Sequence, residues 1–246
     1  MLKRSRLFVF VLAAALSAWA ATVTEEFHQT YSLAANGKVA VHNVNGAVQV
    51  TAWDRNEVKV DAVKRGPSKE DIDQVRIEVD AQPGSVEIRT KYPEHSHNNH
   101  GSVDYAITVP RSAAIDSVNS VNGNVTVEGV SGPVHATAVN GKVEVRKSAG
   151  DLNLSTVNGR VDADLEASAR KAVLSTVNGS ISIALSAAFA GRLHASTVHG
   201  DISSDFDIPV RHAGSGPGTS VDTTIGSGNG DVKLSTVNGP IKLSRK

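Results

Sequence analysis

One tripeptide constrains this chain more than any other feature. Val-Asn-Gly stands at 44–46, 121–123, 139–141, 157–159, 177–179 and 237–239, and Val198-His199-Gly200 fills a further slot. From Asn122 to His199 the steps are 18, 18, 20 and 21 residues. The match often extends to Ser-Thr-Val-Asn-Gly, at 155–159, 175–179 and 235–239, with Ser196-Thr197-Val198-His199-Gly200 a near copy. A fixed period of this size marks a stack of like units, each burying its apolar side against its neighbours.

Each step contains a half-period of nine: Gly123, Gly132, Gly141, Gly150 and Gly159 are evenly spaced. After each glycine comes a short alternating segment. The apolar pairs are Val125/Val127, Val134/Ala136, Val143/Val145, Leu152/Leu154 and Val161/Ala163, with Thr126, His135, Glu144, Asn153 and Asp162 between them. Period-2 alternation predicts strands buried on one face. Strand, turn, strand and turn in 18 residues make one coil, so the expected fold is all-β: a β-solenoid of stacked coils with two short strands each. The Asn-Gly pairs (Asn45-Gly46, Asn122-Gly123, Asn140-Gly141, Asn158-Gly159, Asn178-Gly179, Asn238-Gly239 and the variant His199-Gly200) are read as structural turns whose residues tolerate positive φ. Asparagines one strand spacing apart, about 4.8 Å, would let their amides bond in a ladder. An antiparallel meander also uses Asn-Gly turns, but has no need of near-identical ones at every second strand.

Three stretches break the rhythm. Ser68 followed by Asp71 predicts a capped short helix around 67–74. Tyr92 to Ser102 is a polar, His-rich loop, and Asp205 to Gly230, with six glycines and two prolines, reads as a long excursion before the last coil. Lys242, Arg245 and Lys246 would then guard an open end of the stack. The expected division is a leader over 1–20, an N-terminal β region over 21–110 and regular repeats over 111–246.

The leader is a secretory signal pattern: Lys3, Arg4 and Arg6, an apolar run from Leu7 to Leu16, and Ala18-Trp19-Ala20 before Ala21. The run is shorter than the roughly 20 residues of a spanning helix. Cleavage would leave no membrane span and an extracytoplasmic protein, periplasmic, surface-bound or secreted. No cysteine is present, which removes disulfides and thiolate chemistry. Formal charge is zero, from 25 basic and 25 acidic residues, and falls to −3 without the leader. Such a surface offers no basic field for nucleic acid.

The chain resembles the bacterial DUF4097 family of adhesin-like β-solenoid proteins over nearly its whole mature length. The resemblance rests on Val44-Asn45-Gly46 with Val48-Gln49-Val50 and Trp53-Asp54, on the segment from Val103 to Pro110, and on Ile225-Gly226 with Val232 to Ile241. It implies the fold and an adhesin-like role, and brings no catalytic residues.

Candidate chemistry is thin. Glu94-His95-Ser96-His97-Asn98-Asn99-His100 could offer His95, His97 and His100 to zinc or copper, but no carboxylate is evidently fixed behind the imidazoles to orient them. Gly226-Ser227-Gly228-Asn229-Gly230-Asp231 partly matches calcium-binding repeats, without aspartate in successive turns. Glu144 and Asp162 fall on adjacent coils, but their neighbours in that register, Thr126, Ser182 and Ser203, are uncharged. The recurrent Ser and Thr fit turn hydrogen bonding better than a nucleophile. Aromatic platforms for sugars do not recur. The expectation is a non-enzymatic envelope or surface module without cofactor, binding a protein or envelope partner. The alternatives are a periplasmic scaffold assembling through its terminal coils, or a metal-binding protein using the His95–His100 loop.

Overall fold

The computed structural model describes residues 22–93, 101–166, 169–212 and 218–246. Its N-terminal strands are β1 (Val23–Ser32), β2 (Lys38–Asn45), β3 (Val48–Trp53) and β4 (Glu57–Gly66). Helix α1 (Lys69–Asp73) follows, then β5 (Arg76–Gln82), β6 (Ser85–Lys91) and β7 (Ser102–Pro110). The repeats give β8 (Ala114–Asn122), β9 (Val125–Glu128), β10 (Val134–Asn140), β11 (Val143–Ser148), β12 (Leu152–Asn158) and β13 (Val161–Leu165). They continue with β14 (Lys171–Asn178), β15 (Ile181–Leu185), β16 (Gly191–His199) and β17 (Ile202–Ser204). Last come β18 (Arg211–His212), β19 (Thr219–Ile225), β20 (Gly230–Asn238) and β21 (Ile241–Arg245).

These strands form two large mixed sheets, neither closed on itself. Sheet A runs β1-β4-β7-β3-β9-β11-β13-β15-β21-β17, and sheet B runs β18-β19-β16-β20-β14-β12-β10-β8-β2-β6-β5. Each repeat gives one strand to B and the next to A, and like strands of successive units pair in parallel. In a meander, consecutive strands would pair antiparallel; here they lie in different sheets. Antiparallel pairing is confined to the two ends, at β1–β4–β7 and β5–β6 on one side and β16–β19–β18 on the other.

The alternation read from the sequence builds the core. Register sets Val143 on Val161, Val161 on Ile181, and Leu154 on Leu174. All are wholly buried. Small branched side chains suit this thin interior, because each layer fills only one strand spacing. The short helix starts where expected: the Ser68 side chain accepts from the Asp71 amide at 3.2 Å.

Three expectations need correction. First, the chain-last unit is not at an end. Strand β20 lies between β14 and β16, and β21 between β15 and β17. Lys242 therefore sits between Ser182 and Ser203 rather than on an open edge. The Arg245 guanidinium lies 4.7 Å over the Phe206 ring, and Lys246 pairs with Asp164 and Glu166. The sequence concealed this because 191–200 and 230–239 are near copies, and either could follow 171–185. Second, the stretch from Asp205 to Gly230 is strand-bearing in its described part: β19 covers the outer edge of β16 while β20 holds its inner edge. The link at 226–229 bridges the start of β16, and a Cβ at Gly228 would stand 2.2 Å from the Ala190 carbonyl oxygen. Third, positive φ is not what the turn glycines share. Among them only Gly46 and Gly239 have it, at 117° and 148°, and none of the turn asparagines does.

Candidate functional site

The Asn-Gly corner, where sheet B passes into sheet A, is the most ordered chemistry in the molecule. Asn122 donates to Asn45, Asn140 to Asn122, Asn158 to Asn140 and Asn178 to Asn158, each side chain to side chain at 2.9 Å. Asn238 continues to Asn178 at 2.8 Å. All five bonds point the same way along the stack. Beneath them the backbone repeats the pattern, with Gly141 N–H donating to Asn158 O at 3.1 Å and Gly159 N–H to Asn178 O at 3.0 Å. The units approach so closely here that a Cβ at Gly159 would lie 2.0 Å from the Gly141 carbonyl oxygen, and one at Gly179 1.7 Å from that of Gly159. Glycine is required at these corners by contact between units rather than by φ.

Where a threonine precedes the motif, at 156, 176, 197 and 236, it points inward and clasps the corner. Thr156 donates to Gly141 O at 3.0 Å, Thr176 to Gly159 O and Thr236 to Gly179 O at 3.1 Å, and Thr197 to Gly239 O at 3.0 Å. Ser120 does the same to Gly46 O at 3.1 Å. Satisfying a buried carbonyl in this way explains the recurrent hydroxyls without any nucleophile. Ala138 holds the equivalent register position without a hydroxyl.

Two further members of the repeated motif face solvent. Val44, Val121, Val139, Val157, Val177, Val237 and Val198 are each 37–43% exposed. They fall between paired threonines and paired asparagines, so they form one row along the stack. Beside it runs a hydroxyl row of Thr137, Ser155, Ser175, Ser235, Ser196 and Ser220. Between Asn119 and Ser220 these two rows contain no charged residue. Sequence reasoning passed over the valine row because it grouped each valine with the Asn-Gly turn beside it. The available signal was that Val-Asn-Gly places valine at the outward parity of its strand.

The outer face of sheet A is different. Glu144 and Asp162 are register neighbours, as the spacing implied. Lys142 bridges them at 3.0 and 2.9 Å, and Arg146 also pairs with Glu144. Burial pushes the Glu144 carboxyl up, but hydrogen bonds from Lys142 and Arg146 outweigh it and hold the group below its ordinary value. The two carboxylates are thus tied into an ion-pair network with basic partners on both sides.

At the N-terminal end a buried polar cluster closes the corner. Asn43 stands in the clasp register opposite Ser120 and donates to Val103 O at 2.8 Å and Gly46 O at 3.1 Å. Its own oxygen accepts from Thr90 at 2.9 Å, and Thr90 bonds the Tyr105 hydroxyl at 2.7 Å. Burial pushes the Tyr105 phenol up to about 12. Trp53 and Asp54 border an open surface cleft with Arg55 and Arg111. Arg55 already covers the indole, 5.1 Å from its centroid, and Arg111 bonds Asp54 at 3.0 Å. His95, His97 and His100 lie outside the described residues, as does the proposed leader. In the glycine-rich loop the close contacts are to Ala190 and Phe189, a packing reason for glycine at 228 and 230.

Among the described residues no helix is long and apolar enough to cross a membrane. Solved structures with similar folds include a candidate cell-adhesion protein from Clostridium sporogenes, at 11% identity, TM-score 0.49, covering 90% of this chain and 100% of that one. A candidate adhesin from Bacteroides fragilis matches at 16% identity and TM-score 0.45, covering 89% and 97%. Another from Parabacteroides distasonis matches at 10% identity and TM-score 0.33, covering 90% and 97%. No curated protein matches the sequence significantly. The Toastrack DUF4097 family pattern spans residues 24–244, nearly every residue that builds the two sheets and their corner, and the chain belongs to that family.

Proposed function

We propose that this protein is a non-enzymatic interaction module exported beyond the cytoplasmic membrane, whose stacked units wind as a short β-solenoid and whose binding surface is the outer face of sheet B. One observation carries this reading. Among solvent-facing positions, the valines of the repeat stay constant across seven units. By contrast the sheet A positions Thr126, Glu144, Asp162, Ser182, Lys242 and Ser203 differ from unit to unit. The glycines, threonines and asparagines of the motif have structural reasons to recur. An exposed valine has none: solvent-facing positions of a repeat drift freely. At about two fifths exposure each, the seven valines present on the order of 400 Å² of contiguous apolar surface, a size that marks interaction sites.

The end-to-end scaffold finds less support. At one end of the stack the edge strands are the two-residue β18 and the three-residue β17. Such short edges offer little backbone for another copy to pair with. The test is retention on cells or envelope fractions. Val157→Lys/Val177→Lys should lose retention while keeping its melting temperature within a few degrees. Glu144→Lys/Asp162→Lys should retain it. Equal retention by the valine variant would remove sheet B from consideration.

A further inference from the structure

We infer that the valine face of sheet B pairs with the same face of a second copy of this chain, in a weak, reversible, two-fold contact; this rests on the reading of that face as the binding surface. The argument begins with period. Parallel pairing sets the seven valines one strand spacing apart, about 4.8 Å, in a row roughly 30 Å long. A ridged apolar row interdigitates well only with a surface of equal pitch, as in the dry zippers between stacked β-sheets. Another copy supplies that pitch by construction, whereas an ordinary globular surface does so only by chance.

Charge and symmetry point the same way. The valine and hydroxyl rows are uncharged from Asn119 to Ser220, so these two rows bring no like charges together; Lys233, Arg192 and Asp222 stand on the same face, farther along their strands. A two-fold contact requires a self-complementary patch, and a row of identical side chains is self-complementary in either direction. At one end of the stack the edge strands β17 and β18 are only three and two residues long, which gives an end-to-end contact little backbone to pair with. Area sets the strength. Some 400 Å² of apolar surface per copy is about half of a standard interface side of roughly 800 Å². The contact therefore falls in the micromolar to millimolar range, and only many copies on one surface would make it firm by multivalency.

Sedimentation velocity of the purified protein from about 10 μM to 1 mM tests this. The expected result is a monomer–dimer equilibrium that tightens on warming from 4 to 25 °C and is indifferent to salt between about 50 and 500 mM. Those are the signatures of apolar rather than ionic contact. Val157→Lys/Val177→Lys should raise the dimer dissociation constant at least tenfold, and Glu144→Lys/Asp162→Lys should leave it unchanged. Should the lysine pair fail to fold, Val157→Thr/Val177→Thr keeps the β-branched shape and should still weaken the dimer several-fold. A wild-type monomer throughout the range overturns the inference, as does a dimer indifferent to the valine changes. If the wild type stays monomeric while the lysine pair loses retention on cells, the valine face binds something else, and the proposed function survives without this partner.

Discussion

The outer faces of sheets A and B are built from the same backbone with the same pitch, yet they solve the problem of facing water differently. Sheet A varies along the stack, and its charges settle among themselves: Lys142 answers Glu144 and Asp162, and Arg146 answers Glu144. Sheet B repeats, leaving valine exposed beside serine at unit after unit. A face that varies while its charges stay balanced needs no external partner to explain it. A face that repeats an apolar residue in water carries a cost in exposed area that folding does not recover. The two faces share one corner that ties the units together, and the proposed interaction uses only the face of sheet B.

The sharpest way to break this division is at the shared corner. Gly159→Ala places a methyl 2.0 Å from the Gly141 carbonyl oxygen, which is backbone and cannot rotate away. The two units must separate, and the expected cost is on the order of 3 kcal/mol in denaturant unfolding. Gly84→Ala is the control, because nothing lies within 4 Å of the added atom; a change within about 0.5 kcal/mol is expected there. Similar effects at the two sites would mean that the close approach of the units is not what holds the corner.

Next is the ladder. In Asn158→Asp the new carboxylate can accept from Asn178 but faces the Asn140 oxygen it formerly donated to. A lost donor and two opposed acceptors should cost about 1–2 kcal/mol near neutral pH. The introduced carboxyl has its folded-state pKa raised by that opposition. Its penalty is therefore absent at low pH, where it is protonated and donates again, and appears as pH rises through its titration. Thermal melts at pH 3 and pH 7 check this: a deficit that does not shrink at the lower pH would contradict the ladder's hydrogen-bond direction.

Sheet A is expected to respond through charge alone. Glu144→Lys/Asp162→Lys strips Lys142 of both carboxylates and puts three cations together. The pairs are partly exposed, so a loss of about 1 kcal/mol is expected at low ionic strength, shrinking as salt screens the repulsion. A loss independent of salt would mean that packing, not charge, governs that face.

How much of this was legible beforehand depends on what kind of contact each residue makes. Val143, Val161 and Ile181 declared themselves because burial in a strand writes a two-residue period directly into the sequence. The asparagine ladder followed from spacing alone. The glycines were placed correctly and explained wrongly: at Gly159 the constraint is the Gly141 carbonyl above it, and no local pattern records an approach between residues 18 apart. Stack order was out of reach for a similar reason. The units at 191–200 and 230–239 carry nearly the same side chains, so sequence could not tell which one rests on 171–185. The valines of Val-Asn-Gly were visible from the outset, but the eye groups them with the turn. Their parity along the strand already pointed outward, and their exposure shows that this constant letter of the motif faces water.

The smallest expected effect is a gain, and it tests whether the clasp is as regular as the ladder. Ala138 is fully buried and stands in register with Thr156 on one side and Ser120 on the other. Both neighbours donate to the corner carbonyl of the preceding unit, Thr156 to Gly141 and Ser120 to Gly46. By the same geometry a hydroxyl at 138 would reach Gly123 O. Ala138→Thr adds that donor and a β-branched shape suited to a strand, against the work of fitting two more heavy atoms into a packed site. Thr156, buried in the neighbouring rung, indicates that the corner accommodates them. The expected balance is a stabilisation of about 0.5–1 kcal/mol, or a rise of roughly 2 °C in Tm for a chain of this size. Ala138→Val separates the causes, since it brings the shape without the donor. It should be neutral or destabilising, because it leaves the carbonyl as it was. If valine matches or exceeds threonine, packing rather than the hydrogen bond governs the corner, and the recurrent threonines lose the explanation given for them here.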